Sequence, residues 1–234
     1  MEDMAIEGRV LDVIGDRLPV AVPKWTVREP GFVGYRRLPG EPAAEKGPDG
    51  LVWERPLPDS FFDRFGATIA ALHTIPTDGF AAAGVEFRSP RQVRETIDRA
   101  LHRGRDLLGI PDPLWRRRRE WVADDDAWPT HSVLVHADLH PGHTLVSGGE
   151  LVGVIHWTDI VVGDPAADFP DRPRFRARAT IRCARRVPAA RRPDVAGHAQ
   201  AHRRARRDGP GELRAVRCGQ RTGPVRRRGP RAVR

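Results

Sequence analysis

VLVHADLHPGH, residues 133–143, joins a short apolar run to a polar loop holding three histidines and one aspartate. The run VLV is too short for a helix and rich in β-branched residues, so it predicts a buried strand that delivers His136 into a loop. Beyond the loop, HTLV (143–146) and ELVGVIHW (150–157) alternate around Ser147-Gly148-Gly149, the pattern of a β-hairpin. A hairpin returns its ends to one place. His143 at its entry and His156 at its exit are therefore expected to be neighbours, with Asp138 on the loop leading in.

Helices are predicted on the amino-terminal side of this unit. Ile6, Val10, Leu11 and Ile14 lie at helical spacing over residues 4–14. LPVAVPKW and the short apolar stretch GFVGY follow. RLPGEPAAEKGPDG (37–50) then reads as a Pro- and Gly-rich linkage. Asp59 or Ser60 is expected to cap a helix with Phe61, Phe62, Phe65, Ile69 and Leu72 on its apolar side, ending before the proline of HTIP. Ser89-Pro90 supplies a cap and a first-turn proline for a second helix. PLWRRRREWVADD predicts a third, whose four arginines are read as a solvated face.

Charge divides the chain. Residues 171–234 hold 21 Arg, no Lys and four acids, a balance of +17, whereas residues 1–170 hold 19 basic residues against 27 acidic ones. The body is thus acidic, and the net +9 belongs to the tail. Cys183 and Cys218 both lie in the tail, which leaves the body without a disulfide or a cysteine metal site. No apolar run approaches the roughly 18 residues of a membrane helix, and MEDMAIE is not a signal peptide. The expectation is a cytoplasmic monomer with no membrane and no specific nucleic-acid partner. The tail has too little to bury to repay ordering, so it is expected to be disordered. Its abrupt Arg/Pro/Gly/Ala composition resembles a GC-rich gene read out of frame.

The spacing His136-x-Asp138-x-x-x-x-His143 fits the H-x-D-x-x-x-x-N pattern of phosphoryl-transfer loops, with His in the Asn place. In that pattern the aspartate accepts the proton of the attacked hydroxyl, and later residues hold metal on the nucleotide phosphates. Two other readings stand beside it. The cluster His136, Asp138, His140, His143 and His156 could hold zinc in a metallohydrolase, since zinc accepts imidazole, although the spacing fits no strong zinc signature. The chain could also be a non-catalytic fragment whose basic tail binds polyanions indifferently to sequence.

LVHADLHPGHTLV, GVIHWTDIVVGDPAADF and ALHTIP together resemble the antibiotic phosphotransferases of the aminoglycoside phosphotransferase family, which have a protein-kinase-like fold. Histidine at the Asn position followed by Thr-Leu, the Trp-Thr-Asp after the hairpin, AVPKW, SPRQVRETI and DDDAWP are most similar to the macrolide 2'-phosphotransferase branch. The resemblance spans roughly residues 5–169. It implies an α+β fold of two lobes: residues 1–40 as a remnant of the small lobe and hinge, 41–170 as a mainly helical large lobe with the catalytic hairpin, and 171–234 as a tail unlike the family. It implies Asp138 as the catalytic aspartate, His143 and His156 as ligands of Mg2+, and His136, Asp164 and Asp168 as supports of the loop. Tyr35, Arg36, Arg37 and Leu38 would form the nucleotide hinge. Glu7 would be the helix glutamate that pairs with a nucleotide lysine. The implied reaction moves the γ-phosphate of GTP or ATP to the 2'-hydroxyl of a macrolide antibiotic, giving resistance.

Several departures from the family pattern predict impaired activity. His156 stands in place of an aspartate, although magnesium prefers oxygen. Ala137 stands in place of glycine, which matters if the backbone needs positive φ. The sequence has no Gly-rich phosphate loop. Its only lysines, Lys24 and Lys46, are not expected on a strand placed to hold phosphates, and the family's lysine and surrounding strands would precede Met1. The tail stands where helices should close the large lobe.

Overall fold

A computed structural model describes residues 2–47, 50–53 and 56–169, so the expectations for the tail lie outside the described residues. Helix α1 (Glu2–Ile14) buries Val10, Leu11 and Ile14, as their spacing requires. Strands β1 (Trp25–Glu29) and β2 (Phe32–Tyr35) form an antiparallel hairpin through Pro30 and Gly31.

The segment expected to be linkage is instead largely paired. β3 (Glu41–Pro42) lies antiparallel to the first strand of the later hairpin, and β4 (Ala44–Gly47) pairs with β5 (Gly50–Trp53). Composition could not reveal this, because the pairing partner of β3 lies about a hundred residues on. Pro42 is tolerated because β3 is an edge strand. Gly40, at φ +93°, is required here: a Cβ would sit 2.9 Å from the carbonyl oxygen of Val146.

Helix α2 (Asp59–His73) presents Phe61, Phe65, Ile69 and Leu72 at successive turns, and all four are buried. Its N-cap is Pro58, not Asp59 or Ser60; the helix starts one residue early, and Asp59 sits in the first turn, where a negative charge suits the dipole. Helix α3 (Pro90–Leu108) starts as predicted: the Ser89 hydroxyl accepts from Gln92 N–H while the Gln92 side chain accepts from Ser89 N–H. Gly109, at φ 64°, ends it. Helix α4 (Asp112–Ala123) carries the arginine quartet, and Arg119 departs from the solvated reading by pairing with Asp98 of α3.

Four short strands build the centre. β6 (Val133–Val135) pairs antiparallel with β9 (Val161–Gly163), and β7 (Thr144–Ser147) with β8 (Glu150–Val154) across the Gly148-Gly149 turn. The sheet order β3-β7-β8 continues to Ala21, whose N–H and C=O bond Val152 and Val154 at 2.9 Å each. One core joins Val10 and Ile14 of α1, Phe61 and Phe65 of α2, Leu134 of β6, Leu151 of β8 and Trp157. Among the described residues, no helix is long and apolar enough to cross a membrane.

Candidate active site

All three residues of β6 are buried, so the strand carries the next residue, His136, to zero exposure. Its Nε2–H donates to the Ile155 carbonyl at 3.0 Å, and its Nδ1 accepts from Asp138 N–H at 3.3 Å. The ring lies 4.6 Å from that of Trp157. Burial pushes the imidazole below its ordinary pKa, outweighing Asp168, and its two bonds, one given and one accepted, fix one neutral tautomer. His136 supports the loop, and with both nitrogens engaged it is not a metal ligand. The five-residue zinc set loses that member.

Ala137 has φ 65°, the condition under which replacing glycine carries a cost. Its N–H donates to Asp168 Oδ1 at 2.9 Å, while Asp168 Oδ2 meets His73 Nε2 at 2.8 Å; both side chains of this pair are essentially unexposed. Asp168 therefore links the loop backbone at Ala137 to His73 of α2. His73 was missed as a functional residue. In the sequence it is only part of ALHTIP, and no local signal links it to an acid 95 positions away. Asp164 works one step further out: its carboxylate accepts from Ala166 N–H at 2.8 Å and caps the turn Pro165–Asp168 that presents Asp168.

Asp138 and His143 are tied together. His143 Nδ1–H donates to the Asp138 backbone oxygen at 2.9 Å and lies 3.6 Å from its carboxylate. Between them, His140 Nδ1 accepts from Gly142 N–H at 3.0 Å, capping the turn Pro141–His143. The His140 and His143 rings are 3.8 Å apart. Burial and the neighbouring imidazoles push His140 down to about 4. Burial also lowers His143, against its bond to Asp138.

The hairpin brings His156 onto His143, with rings stacked at 4.3 Å and 9°. His156 adopts φ 72°, ψ 55°, a left-handed conformation for which His, Asn and Asp are the most tolerant non-glycine residues. The donors that converge within 4.8 Å of one another are nevertheless Asp138, His140 and His143; His156 flanks that group. The expected metal pair of His143 and His156 is thus redrawn to include His140. Magnesium wants a shell of oxygens, and this set supplies one carboxylate among imidazoles, so the residues do not fit it.

Glu7 reaches the same region. Its Oε2 accepts from Thr158 Oγ1 at 3.1 Å, just past His156, and burial raises its pKa despite that bond. It thus contacts the hairpin exit. Lys24 is exposed just before β1, and Lys46 lies on β4, a strand the sequence did not predict. Tyr35 closes β2, Arg37 pairs with Glu41 at 2.7 Å, and Leu38 packs over Gly153 of β8, so residues 35–38 run as a connection between the β1–β2 hairpin and the catalytic sheet.

Comparison with known proteins gives the chain's relatives. A family model described as the phosphotransferase enzyme family matches residues 1–216. An uncharacterised protein of Bacillus subtilis (strain 168), YcbJ, is 33% identical over 175 residues, which cover 72% of this chain and 57% of that protein. The chain therefore spans little more than half of that relative's length. The apoenzyme structure of macrolide 2'-phosphotransferase MphH from Brachybacterium faecium is 34% identical with a TM-score of 0.73, covering 86% of this chain and 70% of that one. A structure of macrolide 2'-phosphotransferase type I is 30% identical with a TM-score of 0.69, over 86% and 69%. A GDP and kanamycin complex of an aminoglycoside phosphotransferase, at 19% identity and TM-score 0.66, shares the fold. With its α+β, protein-kinase-like fold, the chain belongs to the phosphotransferase enzyme family.

Proposed function

We propose that the chain moves a phosphoryl group from a nucleoside triphosphate, GTP or ATP, to a hydroxyl, and that the acceptor is the 2'-hydroxyl of a macrolide. One observation carries the reading. The loop bearing Asp138 is fixed from both sides, by His136 on Ile155 and by Asp168 on Ala137, while the Asp138 side chain keeps 28% exposure and is open to a substrate. The likeness to two macrolide 2'-phosphotransferases supports the choice of acceptor.

The chemistry asked of the chain is mainly positioning. The Asp138 carboxylate accepts the hydroxyl proton as that oxygen forms its bond to the γ-phosphorus. The bond from phosphorus to the bridging oxygen breaks, and the nucleoside diphosphate leaves with the electron pair. Tyr35, Arg36, Arg37 and Leu38 would border the base. His156 brings no charge where a carboxylate would help neutralise the phosphates, so turnover should be low, by on the order of 10²–10³-fold or more if one such electrostatic contact is lost.

The test is mass spectrometry of a macrolide incubated with the full chain, GTP or ATP, and magnesium. Traces of phosphorylated macrolide are expected from the unaltered chain, more from His156→Asp, and none from Asp138→Asn. Equal product from Asp138→Asn, or no product from any of the three proteins, overturns the reading.

A further inference from the structure

The loop's nitrogen donors answer a different ion from the one that accompanies nucleotides. We propose that Asp138, His140 and His143 form a binding site for a borderline divalent transition ion, with Zn2+ as the type, and that magnesium is a poor occupant.

Each of the three residues already places a potential ligand atom within 4.8 Å of those of the other two. Tetrahedral zinc, with ligands at about 2.0–2.1 Å, needs its donors about 3.4 Å apart, so the loop must draw in around the ion. His143 is already in a metal-ligand tautomer: its Nδ1–H is given to the Asp138 carbonyl at 2.9 Å, which leaves the Nε2 lone pair free. A backbone carbonyl holding the far nitrogen is the usual outer support of a metal-bound histidine. Asp138 adds the one charged oxygen. His140 carries its lone pair on Nδ1, where it now accepts from Gly142 N–H. Coordination there replaces one hydrogen bond of a three-residue turn.

Access and selectivity follow from the same geometry. His143 keeps 13% and Asp138 28% side-chain exposure, so an ion has a path in and a fourth position for water. One oxygen and two imidazole nitrogens suit zinc, cobalt, nickel or copper, whereas magnesium would have to give up water for nitrogen. His136 stays outside the set: it is fully buried and is not among the converging donors. The inference is independent of the phosphotransferase reading, since ion binding is measured with no nucleotide present.

The experiment titrates the full, metal-stripped chain with Co2+ and follows the visible d–d bands, then displaces the cobalt with Zn2+ and counts zinc per chain after dialysis. One tightly held ion is expected, not displaced by a thousandfold excess of Mg2+. His140→Asn keeps an acceptor for Gly142 N–H but removes the imidazole; it and His143→Asn should each weaken binding at least about tenfold, the scale of losing even a supporting contact. Melting curves of the metal-free variants show that they remain folded. Cys183, Cys218, His198 and His202 offer rival donors. Sulfur-to-cobalt charge-transfer bands, or binding unchanged in the His140→Asn/His143→Asn double variant, would assign the ion elsewhere and overturn the proposal. So would displacement by magnesium, or no retained ion at all.

Discussion

The β7–β8 hairpin with its flanking loop and the α3–α4 arm are built by opposite means. Around the hairpin, β6, β9, Trp157, His136 and Asp168 are buried, and the two buried polar side chains are bonded across segments, His136 to Ile155 and Asp168 to Ala137 and His73. Helix α3 buries no residue; Leu107 and Leu108 near its end are 69% and 66% exposed. It is tied to the rest through arginines: Arg119 to Asp98, Arg105 to Asp112 at 2.6 Å, and Arg94 to Asp125 at 2.5 Å. Buried bonds resist water and salt, whereas exposed ion pairs contribute little and are screened. The same chain thus holds its chemistry rigidly and its arm loosely.

The sharpest way to break this contrast is at the buried pair. His73→Ala strips Asp168 of its partner and leaves a buried carboxylate, which should cost about 3–5 kcal/mol. The Asp168 bond to Ala137 N–H would then go slack, so amide hydrogen exchange at Ala137 and Asp138 should accelerate with it. A variant that melts like the parent and keeps those amides protected would show that the pair is not a brace.

Acid should affect the same region next most strongly. His136, His140 and His143 have folded-state pKa values below the ordinary 6.5, with His140 at about 4. The unfolded chain therefore binds more protons than the native one between those values. Stability from these groups is complete above pH 6.5 and is lost as pH falls toward about 4. Thermal melts from pH 7.5 to 4.5 should show a steady decline, and His140→Asn should flatten it. An unchanged slope in that variant would place the linkage elsewhere.

The strongly patterned parts were legible in the sequence: the α2 face at Phe61, Phe65, Ile69 and Leu72, the Ser89-Pro90 helix start, and the nearness of His156 to His143 that a hairpin demands. What stayed hidden depends on partners far along the chain. β3 is a strand only because β7 offers an edge, and His73 gains its role only where Asp168 arrives. The convergence of His140 with Asp138 and His143 was hidden for another reason: it depends on the curl of a three-residue turn, which spacing does not specify.

A smaller effect is expected at Ala137, whose φ of 65° suits glycine. Ala137→Gly relieves the left-handed strain but adds freedom to the unfolded chain, leaving a net gain of about 1 kcal/mol or less. Denaturant midpoints should rise slightly with an unchanged slope. A fall would mean that the apolar contact of Ala137 with Val133, Val135 and Val161 matters more than the strain.

The smallest effect should come from the arm. Arg119 and Asp98 are 39% and 34% exposed, so solvent screens their attraction, and Arg119 also lies 5.8 Å over the Trp115 ring. Arg119→Ala should therefore cost about 1 kcal/mol or less. Its signature is salt dependence: the difference from the parent should shrink in concentrated sodium chloride, while that of His73→Ala should not. The comparison separates the two building principles within one chain. If Arg119→Ala destabilised as much as His73→Ala at every salt concentration, the arm would be held by packing, and the contrast drawn between it and the hairpin would fail.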